Sequence, residues 1–268
     1  MRPVPPHEPE LAAGFHGRPD PRPGLTYRLL RLAWRAIAWV LRLRLDVDGL
    51  EHLPRRADGR FAGGWIAAVV PHRTWIDPFI PWIALPTEPR LAFFGDARTM
   101  ARSPLRRWIL ARLGGVIPIP AGHDARTVGL HFEAAQRALD AGMVFCLMPE
   151  TGPPAPPGSI RRLGAGIGYI AIRNRAAIVP IVLGGNDELY LGRRLLARIL
   201  PPLDPLALAS LDEAGVPPPG SSEERDAVHR LLEALAAAVA EPVDDANAQT
   251  RPSPDEAKRL SALTTLFR

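Results

Sequence analysis

Beyond residue 46 the chain alternates short apolar runs with helix-forming segments, and this alternation limits the fold more than any other feature of the sequence. The apolar runs predict strands at residues 61–70, 90–95, 116–119, 143–148 and 177–183. The segments between them predict helices at residues 104–113, 125–141 and 163–173. The sequence therefore predicts an α/β domain in which helices flank a central sheet that is mostly parallel or mixed.

The alternating part, residues 47–240, is predicted to be one domain, and the 47% hydrophobic content of the chain can fill its core. Its last element is an amphipathic helix expected from Glu223 to Ala240, after the turn-rich stretch VPPPGSS. Residues 1–23 are rich in proline and contain no apolar run, so we expect them to be disordered and not a signal peptide. Residues 241–268 are expected to be a flexible connection to a short terminal helix.

Residues 24–46 are predicted to form a separate amphipathic helix. Between residues 25 and 45 this segment carries five arginines and no acidic residue, and the arginines interrupt it too often for it to span a bilayer. At about 100° per residue, four of them fall in one narrow sector of the helix: Arg28, Arg31, Arg35 and Arg42. The pattern is typical of a helix that lies in a membrane interface with its arginines toward the headgroups. The alternative is a helix packed on the protein's own core, and both descriptions can hold for different parts of its surface.

The charge balance concerns the partners of the chain. A net charge of +5 favours an anionic partner, such as a phospholipid surface, nucleic acid or an anionic small substrate. The arginines are interleaved with aliphatic residues and tryptophan, and no recognised nucleic-acid motif is present, which favours the lipid surface. The single cysteine, Cys146, excludes an intrachain disulfide and a cysteine-based zinc cluster, and the histidines are scattered, so no metal is predicted. We expect a peripheral protein on the cytoplasmic face of the cell membrane.

Residues 71–77 read PHRTWID and place a histidine and an aspartate directly after the first predicted strand, where α/β domains gather functional residues. In a catalytic interpretation, Asp77 accepts a hydrogen bond from one ring nitrogen of His72, and the other takes a proton from a substrate hydroxyl. In a structural interpretation, Asp77 followed by Pro78 caps the start of a helix. There is no GxSxG motif and Cys146 lies in a predicted core strand, so catalysis here implies a transfer to the substrate's own hydroxyl.

Four blocks of the sequence follow one another in a recognisable order. They are PHRTWID, with Thr74 at its fourth position; GVIPIPA at residues 115–121; LMPETGPP, which contains Pro149 and Glu150; and IVPIVLGG. In order and approximate spacing they resemble the blocks NHxSxxD, GxxFIxR, PEGTR and a VPV-like strand. These blocks are those of the glycerophosphate and lysophospholipid acyltransferases, the family that makes phosphatidic acid from 1-acylglycerol 3-phosphate and a fatty acyl thioester.

The resemblance spans residues 25–200 and implies a reaction. It implies that His72 is the general base, that Asp77 orients it, and that Glu150 lies on the acceptor side. The donor would be acyl-CoA or acyl carrier protein, used as a co-substrate, and no other cofactor is implied. The acceptor would be a lysophospholipid or another hydroxyl-bearing lipid of phospholipid or glycolipid biosynthesis.

Several positions depart from the family blocks. The arginine that ends the second block is replaced by Ala121, and the EGTR turn becomes Glu150, Thr151, Gly152 and Pro153. In the family these positions are associated with the acceptor's phosphate. The resemblance therefore implies the type of reaction better than it implies the acceptor.

The predicted substrate-binding residues include Thr74, Thr151 and Gly152. Arginines outside the blocks could instead hold a phosphate, because the guanidinium fork binds it bidentately: Arg98, Arg102, Arg161 and Arg162. The alternative for these arginines is a solvated basic face or contact with anionic lipid. For the whole chain, the alternative function is a catalytically silent lipid-binding protein of the same fold, although such a protein has no need of both His72 and Asp77.

Overall fold

The computed structural model describes residues 20–96, 115–119, 125–211 and 215–253. Its α-helices within these ranges are α1 (Leu25–Val40), α2 (Phe79–Ala84), α3 (Ala125–Asp140), α4 (Ala165–Asn174), α5 (Pro205–Leu208) and α6 (Ser222–Gln249). Its strands there are β1 (Arg44–Asp48), β2 (Trp65–Val70), β3 (Leu91–Asp96), β4 (Val116–Ile119), β5 (Val144–Leu147), β6 (Glu150–Thr151), β7 (Arg162–Leu163), β8 (Ile178–Gly184) and β9 (Arg194–Ile199).

Seven of these strands form one sheet, in the order β1-β9-β8-β2-β5-β3-β4. The strands from β8 to β4 run parallel to one another, whereas β9 is antiparallel to β8 and pairs in parallel with β1. The strands β6 and β7 form a separate antiparallel pair. The mostly parallel, mixed sheet with flanking helices confirms the α/β fold predicted from the sequence.

The central strand β2 shows why a continuous apolar run is required at this place. All six of its residues are buried. Successive side chains of a strand point to opposite faces, so its odd-numbered residues pack with α1 and α2, and its even-numbered residues pack with α3, α4 and α6. A strand with a core on both faces has no polar side, which is the pattern that made it recognisable.

The predicted strands correspond to β2, β3, β4, β5 and β8, although β2 begins at Trp65 and not at Phe61. The predicted helices at 125–141 and 163–173 correspond to α3 and α4. The predicted helix at 104–113 lies outside the described residues. The sequence did not predict the strands β1 and β9, whose charged residues interrupt any apolar run.

The prediction of one helix over residues 24–46 is wrong at its C-terminal end. Helix α1 ends at Val40, the chain turns through Arg42 with a φ of 52°, and residues 44–48 form the edge strand β1. Pairing with β9 satisfies the backbone groups on one side of this edge strand, and Arg194 adds an ion pair of 2.7 Å to Asp46.

The arginines of α1 do not share one outward face. Arg31 is buried and donates through Nη2 to the carbonyl oxygens of Ile83, at 3.1 Å, and Leu85. Arg28 and Arg35 are exposed. The solvent-facing stripe of the helix is instead apolar and includes Leu25, Leu29, Leu32, Trp39 and Val40. None of the helices in the described ranges has the length and apolar character needed to cross a membrane.

The prediction of a flexible connection from residue 241 is also wrong, because α6 continues to Gln249 with Pro242 inside it. Beyond the proline, Val243 and Ala246 are buried, and the helix packs on β8. Burial of this apolar face outweighs the hydrogen bond that the proline removes. The predicted terminal helix falls largely in residues 254–268, outside the described part of the chain.

Candidate active site

The segments that follow three neighbouring parallel strands meet at one edge of the sheet. β2 leads to His72, β5 on one side leads to Glu150, and β8 on the other side leads to Asn186. The carboxyl ends of parallel strands lie at the same edge. His72 and Glu150, which are 78 positions apart in the sequence, therefore come into direct contact. Pro71 and Asn186, which are 115 positions apart, also do so.

The His72 and Asp77 side chains form a hydrogen-bonded pair. Nδ1 of His72 lies 2.9 Å from Oδ2 of Asp77. The aspartate side chain has no exposed surface, whereas 40% of the histidine side chain is exposed. A carboxylate only accepts, so Nδ1 carries the hydrogen and Nε2 of the neutral ring is left to accept a proton from a substrate.

The Asp77 carboxylate is held by more than the imidazole. Its Oδ2 also accepts the backbone N–H groups of Arg73, at 2.5 Å, and Thr74, at 2.7 Å. Its Oδ1 accepts the Thr74 hydroxyl and the Asn186 side-chain amide, each at 3.0 Å. The buried carboxylate therefore has its hydrogen bonds satisfied without water, and its orientation toward the imidazole is fixed.

The structural interpretation of Asp77 as a helix cap is wrong. The helix α2 begins at Phe79 after Pro78, and no side chain caps it. The backbone hydrogen bonds of Asp77 come from Arg73 and Thr74, which precede it. The residues between the histidine and the aspartate form a turn folded around the carboxylate, which is the geometry that the catalytic interpretation requires.

Glu150 ties the His72 segment to the loop that follows β6. Its Oε2 accepts the backbone N–H of His72 and its Oε1 accepts the backbone N–H of Arg161, both at 2.7 Å. Thr151 donates its hydroxyl to the carbonyl oxygen of Arg162 at 3.2 Å. Glu150 thus fixes the backbone next to the histidine and closes the base of the loop.

The proline-rich loop at 152–159 is held by the residue next to the histidine. The guanidinium of Arg73 donates to the carbonyl oxygens of Ala155 at 2.7 Å, Pro156 at 2.9 Å and Ser159. Gly152 begins the loop with a φ of 89°, a conformation that favours glycine. The loop that replaces the family's EGTR turn is thereby attached to the segment that carries the His72–Asp77 pair.

The predicted arginines are only partly described. Arg98 and Arg102, like Ala121, lie outside the described residues. Arg161 is partly buried, and its Nε is buried with no hydrogen-bond partner, whereas Arg162 is exposed. Thr74 is buried and donates its hydroxyl to Asp77, so its side chain contacts the carboxylate of the pair and is not on the exposed side of the site.

Two further observations bear on the chemistry of the site. Burial raises the pKa of the Cys146 thiol and keeps it protonated, so it is not a nucleophile at neutral pH. Among the described residues, no group of three or more histidine, cysteine, aspartate or glutamate side chains could hold a metal ion.

Sequence reasoning missed Asn186 and the role of Arg73. Asn186 follows the buried run of β8 and two glycines, and a polar residue at that position is a weak signal for a site at the end of a parallel strand. Its contact with Asp77 joins residues 109 positions apart, which no local pattern shows. The hydrogen bonds of Arg73 to three carbonyl oxygens could not be predicted from the sequence either, because they depend on the path of the 152–159 loop.

Comparison with protein-family models matches residues 44–184, more than half of the chain, to the acyltransferase family. Among solved structures, the chain is similar to the crystal structure of PlsC, a 1-acyl-sn-glycerophosphate acyltransferase from Thermotoga maritima, at 19% identity and a TM-score of 0.56. The similarity covers 85% of this chain and 81% of that chain. No curated protein sequence matches it.

The fold and the candidate site together define an α/β protein in which a buried carboxylate is hydrogen-bonded to a partly exposed imidazole after a central parallel strand. The chain belongs to the acyltransferase family, as the resemblance of its four blocks indicated.

Proposed function

We propose that this acyltransferase moves a fatty acyl group from acyl-CoA or acyl carrier protein to a hydroxyl of a lysophospholipid or a related lipid. The observation that carries the proposal is the pairing of the accessible His72 with the buried Asp77. A binding module needs no imidazole whose second nitrogen is kept free for a proton. The intact pair therefore favours catalysis over a silent lipid-binding protein.

The proposed reaction needs only one proton carrier. Nε2 of His72 takes the proton of the acceptor hydroxyl as its oxygen attacks the thioester carbonyl carbon. The tetrahedral intermediate collapses with cleavage of the C–S bond, and the imidazolium returns the proton to the leaving thiolate. The products are an ester and a free thiol, and the Asp77 carboxylate stabilises the imidazolium between the two steps.

The acceptor would enter beside the 152–159 loop, which Arg73 and Glu150 hold next to His72. If the acceptor carries a phosphate, Arg161 is the best candidate among the described residues to bind it. Its backbone N–H is bonded to Glu150, and its buried Nε has no acceptor. An arginine N–H in that state favours an anionic oxygen as its partner.

The N-terminal helix supports a membrane-surface location for this reaction. Its outward stripe is apolar, and the exposed Arg28 and Arg35 flank that stripe. On its inner side, Trp34 packs against Phe79 with ring centroids 4.4 Å apart and against Trp75 at 6.0 Å. Because Trp75 lies between His72 and Asp77 in sequence, the helix is packed directly on the segment that carries the pair.

An acceptor screen tests the proposed function. Purified protein would be incubated with one labelled acyl-CoA, or the same acyl group on acyl carrier protein, and a panel of lysophospholipids and hydroxyl-bearing glycolipids. Formation of a labelled ester that is lost in His72→Ala is the expected result. Retention of the lipids on the protein with no transfer to any acceptor would favour the silent binding protein instead.

A further inference from the structure

Asn186 is a buried amide that contacts Asp77 and the residue that precedes His72. Only 2% of the residue is exposed. Its Nδ2 donates to the carbonyl oxygen of Pro71 at 2.9 Å and to Oδ1 of Asp77 at 3.0 Å. Both partners only accept, so the amide nitrogen must face them, and both of its N–H bonds are used.

The two contacts of Asn186 have different consequences. The Pro71 carbonyl belongs to the peptide that leads into His72, so the first bond fixes the backbone on the histidine side. The second bond fixes the aspartate. Oδ1 of Asp77 also accepts a hydrogen bond from the Thr74 hydroxyl, and Oδ2 accepts hydrogen bonds from the imidazole and from two backbone N–H groups. Asn186 therefore opposes rotation of the carboxylate away from Nδ1.

The turn that carries Asn186 is itself braced. Gly185 has a φ of +76°, and a Cβ atom there would lie 2.2 Å from the carbonyl oxygen of Arg194. The buried Arg193 donates through Nε to the Gly185 carbonyl at 2.9 Å and through Nη1 to the Thr250 carbonyl at 2.8 Å. The end of α6 thus supports the turn. The backbone that carries the Asn186 side chain is therefore fixed in place next to the Asp77 carboxylate.

We propose that Asn186 is a positioning residue for acyl transfer: it aligns the Asp77 carboxylate and the backbone that leads into His72 so that the imidazole presents Nε2 to the acceptor hydroxyl. This inference rests on the proposed function. Asn186 acts through Asp77 and His72 and does not contact substrate, so its loss should change the rate of the chemical step more than substrate binding.

The test begins with Asn186→Ala and Asn186→Asp. The alanine variant removes both donors, and the aspartate variant keeps the shape but replaces the donors with acceptors facing two other acceptors. We expect kcat to fall about 10- to 100-fold in the alanine variant, with KM for donor and acceptor changed less than about threefold. In the aspartate variant kcat should fall at least as far. If Asn186 only filled space, this variant of nearly the same shape would keep its kcat. Asn174→Ala is the matched control, because its Nδ2 also donates to a carbonyl, that of Ile170 at 2.8 Å, on α4.

A double-mutant cycle separates positioning from general destabilisation. If Asn186 acts through the Asp77 carboxylate, its substitution should cost less in an Asp77→Asn background than in wild type, because only the contact with the Pro71 carbonyl then remains to be lost. If Asn186→Ala fails to fold, Asn186→Ser replaces it in the cycle. An additive loss in the double variant, or kcat within about twofold of wild type in the folded single variant, would overturn the inference.

The assay includes wild type and His72→Ala so that two failures can be told apart. No transfer by wild type to any acceptor would refute the proposed function. Transfer that depends on His72 but is indifferent to Asn186 would refute only the positioning role.

Discussion

Nδ1 of His72 lies 2.9 Å from Oδ2 of Asp77, and the aspartate side chain is completely buried while the histidine side chain remains 40% exposed. This asymmetry supports the roles proposed for the two residues. The buried carboxylate cannot meet a substrate, so it can act only on the imidazole, and the imidazole is the group that a lipid hydroxyl can reach.

The first prediction concerns this pair. His72→Ala should fold and lose about 10² to 10⁴ in the rate of acyl transfer, the range for removal of a general base. Asp77→Asn should also lose rate, because an amide in this place cannot hold the same tautomer and charge. His229→Ala is the control, since that histidine is exposed on α6. Transfer at the wild-type rate by purified His72→Ala would remove the assignment.

The pair could be predicted from the sequence because its two residues are close in the chain and follow a recognisable buried strand. The contacts of the other residues could not. Glu150 was predicted only through the family resemblance, and its contact with the backbone of His72 joins residues 78 positions apart, whereas Asn186, which is 109 positions from Asp77, was missed. The fold shows the same division. Strands buried on both faces were predicted, whereas the edge strand β1 reads as the end of a helix and acquires its structure by pairing with β9.

The second prediction concerns the acceptor. Activity on 1-acylglycerol 3-phosphate should be weak compared with a hydroxyl-bearing lipid that lacks the terminal phosphate, because Ala121 and Pro153 cannot pair with a phosphate. A screen with one labelled acyl donor measures the ratio of kcat/KM values. Efficient synthesis of phosphatidic acid would contradict this expectation, and its loss in Arg161→Ala would then identify the replacement contact.

A third prediction concerns the 152–159 loop. Arg73→Lys should raise KM for the acceptor and make the loop more sensitive to proteolysis, because a lysine cannot reproduce the guanidinium contacts with the carbonyl oxygens of Ala155, Pro156 and Ser159. Arg55→Lys is the control, because Arg55 donates to a carbonyl of an exposed turn, that of Gly59. Unchanged KM and unchanged proteolysis would show that the loop is held by its own prolines.

The fourth prediction concerns stability and pH. Arg173 donates to both carboxylate oxygens of Glu224, at 2.6 and 2.9 Å, and these bonds lower the pKa of Glu224 below its ordinary value of 4.5. A lowered folded-state pKa stabilises the protein above the unfolded pKa, and this contribution is lost as the pH falls through the folded value. Glu224→Gln should therefore reduce the free energy of unfolding by about 1 to 3 kcal/mol at pH 7, with the difference from wild type shrinking below pH 4.5. Denaturant unfolding at several pH values measures it, and a difference independent of pH would refute it.

The last prediction concerns the membrane, where the structure separates two tryptophans that the sequence treats alike. Trp39 is exposed on the apolar stripe of α1, whereas Trp34 packs against Trp75 and Phe79. Trp39→Ala should weaken binding to liposomes containing phosphatidylglycerol without changing the thermal unfolding temperature, because it removes apolar area that only a bilayer would bury. Trp34→Ala should lower the unfolding temperature.

The arginines that flank the stripe provide the comparison for the tryptophans. Changing Arg28 and Arg35 to Gln should weaken liposome binding by about 1 kcal/mol each at low salt, and raising the salt should have the same effect on wild type, because the attraction is screened within about 8 Å at physiological ionic strength. Salt should not reproduce the effect of Trp39→Ala, which acts through apolar burial. The corresponding change of the buried Arg31 should instead destabilise the fold, since its guanidinium holds the carbonyl groups at the end of α2. If Trp39→Ala and the double arginine variant both bind liposomes as wild type does, the stripe does not face a membrane and the surface location is refuted.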